Sequence, residues 1–149
     1  MIAMAKASRQ GNVAWALCQG EIEPAIFIRL GGVVENLYLA SVPGKDRLVW
    51  VVQQLLKSSL FRLIVVQAFD IESKKLFLNS SQLARCMKAV RGTRTAMIVM
   101  TGLNGSLAAS TPLRIYSQER RGQSTHKIRI EKVAAKAPGE EFSLSRIMY

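Results

Sequence analysis

Cysteine and histidine are scarce in this sequence of 149 residues, and their shortage excludes the common metal sites. The chain has two cysteines, Cys18 and Cys86, and one histidine, His126. A structural zinc ion needs four ligands, which one histidine and two distant cysteines cannot supply. Both cysteines lie among apolar residues, so we expect small core residues of a reducing compartment rather than a disulfide. We expect no metal and no cofactor.

A continuous apolar segment long enough to cross a membrane is also lacking. The uncharged stretch from Thr95 to Leu113 is interrupted by Gly102, Asn104 and Pro112, among other polar and turn residues. The N-terminus has only a very short apolar run and no small-residue cleavage pattern, so we expect no signal peptide. We therefore expect a cytoplasmic protein without a membrane partner.

Acidic residues are few: 10 Asp and Glu stand against 21 Lys and Arg, which gives a formal net charge of +11. This balance favours an anionic partner, such as nucleic acid or an acidic protein face, over a neutral one. A basic surface without a specific partner is the alternative. No acid occurs from residue 73 to residue 118, a segment that holds these cations: Lys74, Lys75, Arg85, Lys88, Arg91, Arg94 and Arg114.

Apolar runs and turn residues predict an alternating order of strands and helices. The predicted strands of the first part are residues 13–18, 37–41, 63–68 and 96–101, three of them continuous apolar runs typical of buried strands. Apolar residues at helical spacing predict helices over 46–58 and 80–91, and Glu23-Pro24 begins a shorter one. This order predicts an α/β fold with a mainly parallel sheet flanked by helices.

The pattern changes after Pro112. Residues 113–119 and 127–133 alternate apolar and polar side chains around a turn at 120–123, which predicts a hairpin, and Phe142 and Leu144 indicate a last strand. We expect one domain over residues 1–149, with a parallel core in 1–111 and an antiparallel extension in 112–149.

Several segments resemble the core of the RecA recombinase. The segment from Glu23-Pro24 to Leu39 resembles the stretch after its second core strand, and residues 63–68 resemble its Walker B strand. Residues 96–101 resemble the strand after that, and 113–116 with 128–130 resemble its antiparallel hairpin. The resemblance covers most of the chain and implies a RecA-like core of the P-loop-NTPase type, with the first strand and P-loop missing.

The departures from RecA bear directly on catalysis. No G-x-x-x-x-G-K-[ST] motif occurs, so no loop of this kind would hold nucleotide phosphates. Gln67 stands where the resemblance implies the Walker B acid, and Gln19 near the position of the glutamate that activates water. An amide is a poor ligand for a hard divalent cation and cannot act as a general base near neutral pH. The resemblance with these departures implies a protein that is not an enzyme.

Two groups of RecA relatives lack full catalytic equipment: ImuA-like accessory proteins of damage-induced mutagenesis and SulA-like division inhibitors. The antiparallel extension favours the ImuA-like group. We expect a non-catalytic RecA-fold protein of bacterial DNA repair, recombination or the SOS response. It would act by protein contacts with RecA, a polymerase accessory protein, a similar partner or a second copy. The alternatives are a SulA-like inhibitor, a basic DNA-binding module, and a truncated ATPase whose P-loop lies upstream, since residues 1–10 resemble the end of the helix after a P-loop.

Two sets of cations are candidates for binding an anionic partner or DNA. On the 80–91 helix, Arg85, Lys88 and Arg91 recur every three residues along one side, and Arg94 follows. An ordinary solvated helix face is the alternative. The second set lies on the hairpin and comprises Arg120, Arg121, Lys127 and Arg129; cations there could instead block edge-to-edge aggregation. Trp50 lies off the main apolar face of its helix and is either a core residue or an anchor for a partner.

Overall fold

A computed structural model describes residues 1–72, 76–101, 113–119, 125–133 and 141–145, the last three ranges as backbone only. The chain divides into two compact units, Met1–Ser106 and Leu107–Tyr149. The prediction of one domain with a boundary at 111 and 112 stays a prediction. Among the described residues, none of the helices has the length and apolar character that crossing a bilayer requires.

The first unit alternates helices and strands, as the sequence predicts. Its elements are α1 (Ile2–Ser8), β1 (Asn12–Leu17), α2 (Pro24–Arg29), β2 (Leu37–Ser41), α3 (Leu48–Lys57), β3 (Phe61–Gln67), α4 (Ser80–Val90) and β4 (Ala96–Met100). Short 3-10 turns at Val34–Asn36 and Lys45–Arg47 precede β2 and α3. The strands form a parallel sheet in the order β2-β1-β3-β4, which confirms the α/β class.

Local sequence explains where the helices begin. Pro24 occupies the first turn of α2, where its missing N–H leaves no hydrogen bond unmade. Asn79 caps α4: its side chain accepts from the N–H of Gln82, and the Gln82 side chain accepts from the N–H of Asn79. The 3-10 turn replaces the first residues of the helix predicted over 46–58, so α3 begins at Leu48.

Helices cover both faces of the sheet, which makes the first unit a three-layer structure. On one face, Met4 of α1 and Phe27 of α2 pack with Val13, Leu63 and Val65 of the central strands. The other face is the larger core, where α3 and α4 cover alternate residues of the same strands. Its members include Ala14, Ala16, Leu48, Val52, Leu56, Ile64, Val66 and Cys86. Successive side chains of β1 and β3 point to opposite faces of the sheet, so each strand contributes residues to both cores.

Two predictions about burial are wrong. The 96–101 segment was expected to be a buried strand, but β4 exposes Ala96, Ile98 and Met100 on the face that α1 and α2 cover elsewhere. Trp50 is 62 % exposed, so the interpretation of this side chain as a core residue fails. The cysteines lie as expected in or beside the core: Cys86 is buried and Cys18 half-buried. Burial raises the pKa of both thiols.

The second unit is an antiparallel sheet. It contains β5 (Leu113–Glu119), β6 (Thr125–Val133) and β7 (Glu141–Ser145) in the order β5-β6-β7. The predicted hairpin and last strand are confirmed, and the hairpin register shifts once, between Arg114 and Ile115. Of the hairpin cations, Lys127 and Arg129 lie on β6 opposite Gln118 and Tyr116. Arg120 and Arg121 lie outside the described residues.

Candidate functional site

The strand order marks one place in the first unit as a candidate site. In an open parallel sheet, ligands bind beyond the carboxyl ends of the strands, where the direction of winding reverses. In the order β2-β1-β3-β4 that place lies between β1 and β3. The two residues predicted to mark a former ATP site, Gln19 and Gln67, follow and end these two strands.

Hydrogen bonds join the ends of β1 and β3 through these glutamines. The Nε2 atom of Gln67 donates to the backbone oxygen of Gln19 at 3.2 Å, and Gln67 is buried. The Nε2 atom of Gln19 donates to the Asp70 carboxylate at 3.0 Å, and the Gln19 side-chain oxygen accepts from the N–H of Ile71 at 3.2 Å. We call these three side chains, Gln19, Gln67 and Asp70, the glutamine network.

The backbone around the glutamine network brings its parts close together. Gly20 has a φ of +84°, and a Cβ built on it would lie 3.0 Å from Cδ1 of Ile71, so glycine permits this approach. The Asp70 carboxylate also accepts from the N–H of Glu72 at 3.0 Å. Below the network, the N–H of Ala68 donates to the oxygen of Met100. The network is therefore built into the loop after β3.

The chemistry of the glutamine network is that of a structural contact. Both glutamine side chains are neutral donors and acceptors, and neither is a proton acceptor near neutral pH. Asp70 supplies one carboxylate, and its two oxygens accept from Gln19 and from the backbone of Glu72. Among the described residues no group of three or more His, Cys, Asp or Glu is placed to hold a metal ion.

The cations predicted on the 80–91 helix lie on its solvent side. Arg85, Lys88 and Arg91 are exposed, and Leu83 and Cys86 face the core. Arg94 is also exposed, in the connection between α4 and β4. We call Arg85, Lys88 and Arg91 the α4 stripe. Its exposure agrees with a docking face and equally with a solvated helix face.

A cavity of about 280 Å³ brings one of these predicted cations together with residues that sequence reasoning missed. It lies at the amino ends of β1, β3 and β4, and Arg94 lines it with Arg62, Asn12 and Ser59. Arg62 was missed because a single arginine within an apolar run forms no sequence motif that would indicate a binding site. Asp70 was missed at the other end of the sheet, because it reaches Gln19 through the loop after β3.

No protein-family model matches this chain. A search of curated proteins finds no match either.

Proposed function

We propose that the chain is a RecA-like protein that binds a protein partner and does not hydrolyse ATP, acting in DNA repair, recombination or the SOS response. The observation that carries this proposal is the glutamine network. At these two strand ends the resemblance implies a metal-binding acid and a catalytic glutamate. The side chains there are amides instead: Gln67 donates to the backbone of Gln19, and Gln19 donates to Asp70 in the loop after Gln67.

The order of elements supports the RecA-like part of the proposal. A strand, a short helix and a second strand lead to α3, and then to the strand that resembles the Walker B strand. This last strand, β3, is central and lies beside β1, so Gln67 and Gln19 meet as the two acids of such a site would. The same strand order occurs in other doubly wound sheets, which is why the family remains a proposal.

The free edge of β4 is the surface that we assign to the partner. Within the described residues β4 pairs only with β3, and Ile98 and Met100 are 42 % and 37 % exposed. The strand contains no charge and no proline, the features by which proteins usually block an exposed edge. Such an edge suits the addition of a strand from another protein.

Charge indicates what kind of protein this partner is. With a net charge of +11, two copies of the chain repel each other, whereas an acidic protein is attracted and its association is accelerated. We therefore assign the β4 edge to an acidic protein that supplies an apolar strand, and a second copy is the competing occupant.

A phosphate-release assay tests the non-catalytic part of the proposal. With ATP and Mg²⁺, we expect the purified chain and its Gln67→Leu variant to release phosphate at the same background rate. The comparison separates intrinsic activity from a contaminating ATPase, because only intrinsic activity would depend on Gln67. Magnesium-dependent release that disappears in the variant would contradict the proposal.

A further inference from the structure

The cavity at the amino ends of β1, β3 and β4 has a chemistry of its own. Two arginines, Arg62 and Arg94, line it together with Asn12 and Ser59, whose side chains are polar. No acidic residue is among the described residues that line it. Neither arginine makes a salt bridge or side-chain hydrogen bond to another described residue, so both keep their donors for a ligand. An uncompensated pair of arginines suits an anion with several acceptor oxygens.

A register shift in the sheet directs Arg62 toward this cavity. Asn12 of β1 pairs with Phe61 of β3, but the next residue, Val13, pairs with Leu63, so Arg62 is an extra residue in β3. Such bulges redirect a side chain and are common beside functional sites. Arg62 is exposed between two buried neighbours. Gly11 leaves room for the aliphatic part of the Arg62 side chain, since a Cβ on residue 11 would lie 3.1 Å from Arg62 Cγ.

Backbone strain occurs at the same place. Ser59 has a φ of +55°, the only positive value for a non-glycine residue among the described residues. It follows the last turn of α3, where glycine commonly adopts this conformation, and a side chain there costs roughly 1 kcal/mol. Retained strain of this kind clusters at functional sites. Ser59 is one of the residues that line the cavity.

The charges of the first unit are divided between the two ends of its sheet. At the carboxyl ends of the strands, the connections carry most of the described acids, which are Glu21, Glu23, Asp46, Asp70 and Glu72. At the amino ends the described acid is Glu35, which precedes the edge strand β2 and is separated from the cavity by β1. The cations at that end are Arg9, Arg29, Lys57, Arg62, Arg91 and Arg94, whereas the connections at the carboxyl ends carry Lys45 and Arg47. The cavity therefore lies at the positive end of the unit, where field lines concentrate.

We propose that this cavity binds a phosphate of a nucleic-acid backbone, with Arg62 and Arg94 as the contacting cations. A polyanion is favoured over a single small phosphate because the cations continue beyond the cavity. Arg91 precedes Arg94 by three residues, and the α4 stripe then follows the helix with a rise of roughly 4.5 Å per cation. No aromatic side chain interleaves with these cations, so the contact is to the backbone and not to stacked bases.

This proposal is independent of the proposed function, because the cavity and the glutamine network lie at opposite ends of the sheet. Fluorescence anisotropy with a short labelled duplex DNA tests it. We expect saturable binding by the full chain, weakened about tenfold or more in the Arg62→Gln, Arg94→Gln double variant. The slope of log affinity against log salt should fall by about two, one for each lost phosphate contact.

The matched control is the Lys6→Gln, Arg47→Gln double variant, which removes the same charge from exposed positions that do not line the cavity. It should weaken binding less than about threefold. If both double variants lose affinity equally, net charge alone attracts the duplex, and the proposal is overturned. Absence of duplex binding by the unaltered chain overturns it as well. Pyrophosphate and unlabelled duplex are also compared as competitors, at equal concentrations of phosphate groups. If pyrophosphate competes as well as the duplex, the cavity is a small-phosphate site, and the nucleic-acid assignment is overturned.

A measurement on the unaltered chain covers the case in which the arginine variant does not fold. Phenylglyoxal modifies accessible arginines, and mass spectrometry reports the extent at each one. With duplex DNA present, we expect Arg62 and Arg94 to be protected and Arg29 and Arg47 to react as in the free chain. Uniform protection, or none at Arg62 and Arg94, contradicts the proposal.

Discussion

At the residue scale, three side chains decide what the carboxyl end of the sheet can do. Gln19, Gln67 and Asp70 connect the ends of β1 and β3 with hydrogen bonds of 3.0 to 3.2 Å. Acids at the two glutamine positions would repel each other and Asp70 unless a cation neutralised them. The amides at these positions instead form hydrogen bonds, Gln67 to the backbone oxygen of Gln19 and Gln19 to Asp70, and the proposal of a non-catalytic protein depends on that difference.

The contribution of Gln19 to this network can be measured. In Gln19→Ala the Asp70 carboxylate and the N–H of Ile71 each lose a partner, and we expect the free energy of unfolding to fall by about 1 kcal/mol. Urea denaturation measures it. The control is Gln54→Ala, an exposed glutamine of α3 without a side-chain hydrogen bond to another described residue, which should change stability by less than about 0.5 kcal/mol. Equal effects in both variants would mean that the network contributes nothing.

The sequence shows these residues only in part. Gln67 and Gln19 could be singled out because each ends or follows an apolar run, and parallel strands bring such positions together. Asp70 could not be assigned, because its contact with Gln19 joins residues 51 positions apart through a loop geometry that no local pattern encodes. Arg62 was hidden for a similar reason, since its exposure depends on a bulge set by the pairing of β1 with β3.

At the element scale, the helices and strands follow closely from periodicity and turn residues. The sheet strands predicted at 13–18, 37–41, 63–68 and 96–101 are β1 to β4 to within two residues at each end. The composition of β4 suggested burial, but burial depends on what covers a strand. Here α1 and α2 lie over β1 and β3, and the same face of β4 exposes Ile98 and Met100.

The β4 edge can be tested in cells by photo-crosslinking. With benzoylphenylalanine in place of Ile98, we expect an adduct with an acidic protein, because this edge offers unpaired backbone and apolar side chains. Ile28 of α2, 53 % exposed, is the matched control position and should give no such adduct. With the partner purified, Met100→Asp should weaken binding by about tenfold and Ile28→Asp should not. Adducts with a second copy, or the same adducts from both positions, would contradict the assignment.

At the scale of the whole molecule, the first unit has two chemically different ends. The carboxyl ends of its strands carry the glutamine network and most of the described acids, and the amino ends carry the arginine-lined cavity. Such a division places most of the described acids where a doubly wound sheet normally binds a phosphate-rich ligand. The net charge of +11 was evident from composition, but its location was not, because it depends on which connections lie at which end of the sheet.

The most direct measurement of this account is calorimetric titration of the full chain with ATP and Mg²⁺. Because amides occupy the two positions where the proposed RecA resemblance implies acids, and no phosphate-binding glycine loop is present in the sequence, we expect no saturable heat and no competition by ADP. Stoichiometric, magnesium-dependent binding that is lost in Gln67→Leu would contradict the account, since it would place a nucleotide where the glutamine network lies.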